Sequence, residues 1–216
     1  MRLRQIGVLG PKPLEKRNKD NVAVESMAYV VCALLVDGLR KAAIAQDFWK
    51  VSIHINDDDK RCAWKVTGGV LMVDRTFPSS DFVTWDLRTR QSYMLNFLGD
   101  SMREVFQKRG IDQRPLDVAT AYVADCGFRK VIASKRRFVS PNGASKAHIE
   151  CEQEMNEAIV CAVVRTGKKS ERIVVAKTSP NEFIFHSYFG DIRWVDEGQA
   201  VLHVLGGEAI AFALSA

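Results

Sequence analysis

The apolar residues of this chain change their period along its length, and that change limits the fold more than any other feature of the sequence. Over 21–47, Val24, Met27, Ala28, Val31, Leu34, Leu35, Leu39 and Ala42 recur every three or four residues, the spacing that lines one face of a helix. Asn21 is the expected cap, and Gly38 weakens the last turns. A second helix is predicted over 87–109, with Met94, Leu95, Leu98, Met102, Val105 and Phe106 as its stripe. Gly110 follows it, where a left-handed residue ends a helix.

Between these helices the period is two. Val51, Ile53 and Ile55 alternate with Ser52 and His54, a return strand passes through Trp64 and Val66, and Gly68-Gly69 turns the chain into 70–73. The alternation of Val83, Trp85 and Leu87 favours a short strand over 82–87. Beyond Pro115 the pattern reads mostly as β, with strands expected at 116–124, 128–133, 147–151, 158–165, 172–177, 182–188, 200–205 and 209–214. Asn142-Gly143, the 167–170 segment and Gly206-Gly207 are the turns, and strands on such short turns pair antiparallel.

Helices early and strands late predict an α+β fold: two main helices in the first half packed on a mostly antiparallel sheet formed largely by the second half. Residues 1–20 are basic and broken by Pro11 and Pro13, so a loosely packed arm is expected before one domain over 21–216. A length of 216 residues, 47% of them hydrophobic and 26% charged, suffices for a buried core and argues against disorder.

Five cysteines, Cys32, Cys62, Cys126, Cys151 and Cys161, make an odd set without a CxxC pair. Reduced thiols in a reducing compartment are expected. The apolar run at 6–9 is too short for a signal peptide, and the 22–45 stretch is interrupted by Glu25, Asp37, Arg40 and Lys41. These features predict a cytoplasmic protein without a membrane partner.

Few residues suggest chemistry. His54, His148, His186 and His203 stand on separate elements, and Asp57, Asp58 and Asp59 lack the rest of a calcium loop, so no metal is expected. Neither glycine pair belongs to a phosphate-binding fingerprint, so no cofactor is expected either. Cys126, in Asp125-Cys126-Gly127-Phe128-Arg129-Lys130, is the candidate nucleophile, because neighbouring cations lower a thiol's pKa. A structural thiol at a turn is the simpler reading of it. The balance leans away from an enzyme.

The charge layout is the stronger signal. The formal net charge is +5, and Arg129, Lys130, Lys135, Arg136, Arg137 and Lys146 form a basic run. An acidic cluster, Glu150, Glu152, Glu154 and Glu157, follows at once. Paired patches of opposite sign steer and orient a protein partner. The expected function is a non-catalytic protein-binding module, of the immunity or antitoxin type that binds and inhibits a toxin. Its expected binding residues are Arg129, Lys130, Lys135, Arg136, Arg137, Glu150, Glu152 and Glu154. Trp49, Trp64, Trp85 and Trp194 are anchors if exposed. The alternative is single-stranded nucleic-acid binding, since Phe128 and Phe138 interleave with the cations. An enzyme with a cysteine nucleophile ranks third.

Overall fold

The computed structural model of the protein describes residues 2–10, 18–40, 47–56 and 64–214. The chain divides into two compact units, Met1–Phe128 and Arg129–Ala216. The fold is α+β, with the two long helices in the first half and antiparallel strands prevailing in the second.

The first unit builds a four-stranded sheet in the order β1-β2-β4-β3 from β1 (Gln5–Leu9), β2 (Lys50–Asn56), β3 (Trp64–Thr67) and β4 (Val70–Thr76). β1 and β4 both run parallel to β2, and β3 is antiparallel to β4. Period two puts Ile6, Val51 and Leu71 in one row and Val8, Ile53 and Val73 in the next. All six are buried.

Among the described residues four helices belong to this unit: α1 (Lys19–Leu39), α2 (Ser79–Phe82), α3 (Leu87–Lys108) and α4 (Arg114–Asp125). α1 packs against β1 and α4 and buries side chains on every side, which a helix this apolar requires. It is long and apolar enough to cross a membrane, and 56% of its most apolar window is buried inside the protein. Asn18 and Asn21 form a reciprocal capping box at its start. Near its end Gly38 lets α4 approach, because a Cβ there would stand 2.8 Å from Cα of Ala119.

Several expectations about the first half need correction. Residues 5–9, placed in a loose arm, are a sheet strand with Ile6 and Val8 buried. α1 starts at Lys19 and ends at Leu39; residues 41–46 of the expected helix lie outside the described residues, and Asp47 is not helical. Residues 82–87, expected as a strand, are the end of α2 and the turn into α3. Residues 116–124, also expected as a strand, belong to α4. There Leu116, Ala119 and Val123 are buried at helical spacing, whereas Val118 and Tyr122 are exposed. Pro115 sits in the first turn, where a helix tolerates it.

The second unit is built from two antiparallel sheets. One contains β5 (Lys130–Ala133), β6 (Phe138–Val139), β7 (Ser145–Gln153), β8 (Ala158–Thr166) and β9 (Lys169–Thr178), in the order β5-β7-β8-β9 with β6 also on β7. The other has β10 (Asp191–Trp194), β11 (Gln199–His203) and β12 (Ala209–Ala213) in sequence order. One apolar core joins them, with Ile149, Val160 and Ala162 from the larger sheet and Ile192, Leu202 and Phe212 from the smaller. Residues 182–188, the last expected strand to fail, form α5 (Glu182–Phe185) and a 3-10 turn at His186–Tyr188.

Candidate functional site

Glu150 and Glu152, two of the charges singled out in the sequence, lie on the face of the larger sheet opposite the core. Because Ala147, Ile149 and Cys151 point into the core, alternation sends His148, Glu150 and Glu152 to the other side of β7. Glu152 is held from both sides: Arg129 Nη1 lies 2.8 Å from Oε1 and Arg172 Nη1 lies 2.6 Å from Oε2. Burial raises the Glu152 carboxyl, but the hydrogen bonds from Arg172 and Arg129 outweigh it and hold it below the ordinary carboxylate range. His148 Nε2 lies 3.0 Å from Glu150 Oε1. Glu154 sits in the β7–β8 turn, where its N–H donates to the Glu157 carbonyl.

Opposite charges in this region therefore meet each other. Lys177 pairs with Glu157 at 3.3 Å, and Arg136 pairs with Asp191. Cys161 stands beside Glu150 across the strands and hydrogen-bonds Arg172. Burial, aided by Glu152 and Glu150, pushes its thiol up despite the arginine. Such a thiol is neutral at physiological pH and a poor nucleophile.

Lys135, Arg136 and Arg137 lie on the exposed connection from β5 to β6. Arg136 stacks over Phe138 at 5.6 Å, and Arg137 donates to the carbonyls of Ser134 and Arg136. Lys130 begins β5 opposite Gln153.

Cys126 caps the C-terminus of α4 and is half-buried. Its side chain meets Tyr122, whose phenol is pushed up by the hydrogen bond between them. A phenol is no general base at neutral pH, so this contact does not activate the thiol. In β2, Ser52 Oγ lies 3.4 Å from His54 Nε2, and Asp74 is the register partner of His54. Nucleophilic chemistry would use those residue types, but Ser52 and His54 are each only 3% exposed. A substrate has no access to that hydroxyl. Among the described residues no group of three His, Cys, Asp or Glu is placed to hold a metal ion; residues 57–59 lie outside them.

None of the four tryptophans is exposed. Trp49 Nε1 donates to Gly68 O and Trp194 Nε1 to Phe138 O, both at 3.3 Å. Lys108 Nζ sits 4.0 Å over the Trp64 ring, and Trp85 packs edge-on to Tyr93.

The side chain that stands out was missed in the sequence. Phe183 is 82% exposed, while Phe185, two residues on, is fully buried in the core of the second unit. The turn that displays Phe183 is firmly tied. Asn181 Oδ1 accepts from the Phe183 N–H at 3.0 Å, and Gln153 Nε2 donates to Pro180 O at 2.7 Å. Leu205 N donates to Ser187 O at 2.7 Å, which brings the exposed Leu205 to the same corner as Phe183 and Ile184. Asp191 begins β10 beside this corner and pairs with Arg136, so the 135–137 loop lies at the same end of the unit. A helix start was legible here: Asn181 is a good cap, preceded by Pro180 and followed by the acidic Glu182.

The chain matches no known protein-family model, no curated protein and no solved structure.

Proposed function

We propose that the protein is a non-catalytic protein-binding module whose partner docks on the corner of the second unit formed by Phe183, Ile184 and Leu205. The observation that carries this reading is the phenyl ring of Phe183, 82% exposed on a capped and anchored turn. Leaving such a ring in water forgoes about 2–3 kcal/mol of burial that a partner's pocket would recover. Because the turn is already fixed by hydrogen bonds, docking costs little ordering entropy. Exposed aromatics of this kind are the common anchors of protein interfaces.

Exposed charges lie at the same end of the unit as the corner. Lys135, Arg136 and Arg137 supply cations, and Glu182 and Glu208 supply anions. Charges of both signs set orientation and approach rate, with the apolar centre supplying affinity. Neutralisation of a toxin by occupying its working surface is the form of this function that needs no chemistry from the binder.

The test compares the protein with its Phe183→Asp variant as baits in lysate of the source cells. A partner retained stoichiometrically by the first and lost by the second, with unchanged circular dichroism, supports the proposal. Identical capture by both baits overturns it. Retention of nucleic acid instead, released steeply by salt, moves the function to the polyanion-binding class.

A further inference from the structure

The outer face of the larger sheet pairs its charges, with one exception. Glu152 is shared by Arg129 and Arg172, Glu150 takes His148, and Lys177 takes Glu157. Alternation along β7 and β8 puts Lys146 and Arg165 on this face too. Both are exposed, and among the described residues neither has an acidic partner.

These two cations are also direct neighbours, because Lys146 is the register partner of Arg165. Side chains so placed stand about 5 Å apart at Cβ, where like charges repel. Glu171 of β9 gives no relief, since it is opposite Val164 and so belongs to the core side of the sheet. The hairpin that follows adds to the imbalance. Arg165 Nε donates to Gly167 O at 3.4 Å, which orients the guanidinium beside the turn where Lys168 is exposed. Ser170, exposed as well, stands opposite Arg165 on β9. Lys146, Arg165 and Ser170 thus offer an ammonium, a guanidinium and a hydroxyl in one row, with no carboxylate among them.

Donors of this kind suit phosphate oxygens. These side chains stand in the open, without the concavity that encloses a small phosphate ester. An extended polyanion gains instead from several weak contacts made together. The exposed apolar residues of this face, Val131, Val139 and Val174, are all aliphatic. A single strand needs aromatic faces on which its bases stack, and β5 to β9 present none on this side. A duplex keeps its bases stacked inside and can be held by its phosphates alone. A planar anionic membrane would lie against the whole face and meet the row of Glu150, whereas a cylindrical duplex can rest on one end of it.

We infer that the hairpin end of this face binds double-stranded nucleic acid without regard to sequence, with Lys146, Arg165 and Lys168 on its phosphates. The surface is additional to the Phe183 corner. Gln153, which anchors the Phe183 turn, lies seven residues along β7 from Lys146, about 24 Å away.

Fluorescence anisotropy of a labelled DNA duplex with the full-length protein tests the inference. A Kd of about 1–100 µM is expected at physiological salt, with log K falling against log salt at a slope of about −2 to −3, one phosphate for each lysine or arginine named. Arg165→Glu sets opposite charges across the strands, so it is expected to keep the parent's circular dichroism and thermal stability. Its new carboxylate also occupies Lys146, so duplex binding is expected to weaken about tenfold or more, with a slope shallower by about 2. Lys146→Gln, a milder change, is expected to make the slope shallower by about 1. Phe183→Asp is expected to bind duplex within about twofold of the parent, because salt screens charges beyond about 8 Å. No duplex binding, affinity independent of salt, or unchanged affinity in both Arg165→Glu and Lys146→Gln overturns the inference. So does tighter binding of the separated single strand, or binding to phosphatidylserine vesicles alone. Loss of duplex binding in Phe183→Asp would move the nucleic acid to the corner and overturn it as well.

Discussion

Arg172 Nη1 lies 2.6 Å from Glu152 Oε2, and the carboxylate it holds is only 9% exposed. The side chain of Arg172 also hydrogen-bonds Cys161. Arg172→Ala leaves Glu152 with Arg129 alone, and its loss is expected to cost about 1.5–3 kcal/mol, the range for hydrogen bonds to charged groups. Urea unfolding at neutral pH measures it.

The same pair sets part of the acid sensitivity. The folded-state pKa of Glu152 is depressed, so the stability it contributes is fully present above its unfolded value, about 4.3. That stability is lost as pH falls through the lower folded value. Glu152→Gln is therefore expected to flatten the acid limb of stability against pH below about 4 while lowering stability at neutral pH. An unchanged acid limb in the variant would show that the carboxylate contributes nothing to it.

Gly38 and Ala119 mark a close approach of α1 and α4. A Cβ at Gly38 would lie 2.8 Å from Cα and 2.9 Å from Cβ of Ala119. The better helix propensity of alanine, worth about 1 kcal/mol, opposes the overpacking, which costs about 1–3 kcal/mol. Backbone must move to admit the methyl, so Gly38→Ala is expected to be net destabilising, and Gly38→Val more so. A rise in stability for Gly38→Ala would place α1 and α4 further apart.

The thiols should separate by reactivity. Burial pushes Cys32 and Cys151 up to about 12 and raises Cys161 as well, while Cys126 is half-exposed. Iodoacetamide at pH 8, with sites mapped by mass spectrometry, is expected to label Cys126 in the native protein. Cys32, Cys151 and Cys161 should react only after denaturant is added.

Phe183 should matter little to folding. Its ring is outside, so Phe183→Ser is expected to change stability by no more than about 0.5 kcal/mol. Phe185→Ala, which empties a core position, is expected to cost about 3–5 kcal/mol. Thermal and urea unfolding of the two variants, only two residues apart, measure the contrast.

Much of the architecture was legible in the periods. α3 and its Gly110 stop, the strand through Val51, Ile53 and Ile55, and the turns at Gly68-Gly69 and Gly167 stand as expected, although Ser52 and His54 are buried too, where a half-buried strand was expected. These are local features, encoded by residues a few positions apart. The failures at 116–124 and 182–188 arose where short segments satisfy both periods, so β-branched and aromatic residues tipped the expectation. The candidate charges were visible too, but their pairing was not: Arg172 and Glu152 are twenty positions apart in sequence and meet only because β8 lies between β7 and β9.

By itself the sequence determined which of the long, strongly periodic segments coil or extend, because that depends on neighbours along the chain. Tertiary structure alone decided that β1 joins β2 in parallel across a helix, and which charges are spent on each other. It decided Phe183 as well. As a strand, 182–188 would have put Phe183 and Phe185 on the same face. As a helical turn, with about 100° per residue, it sends them to nearly opposite sides. One ring fills the core of the second unit, and the other stands in solvent.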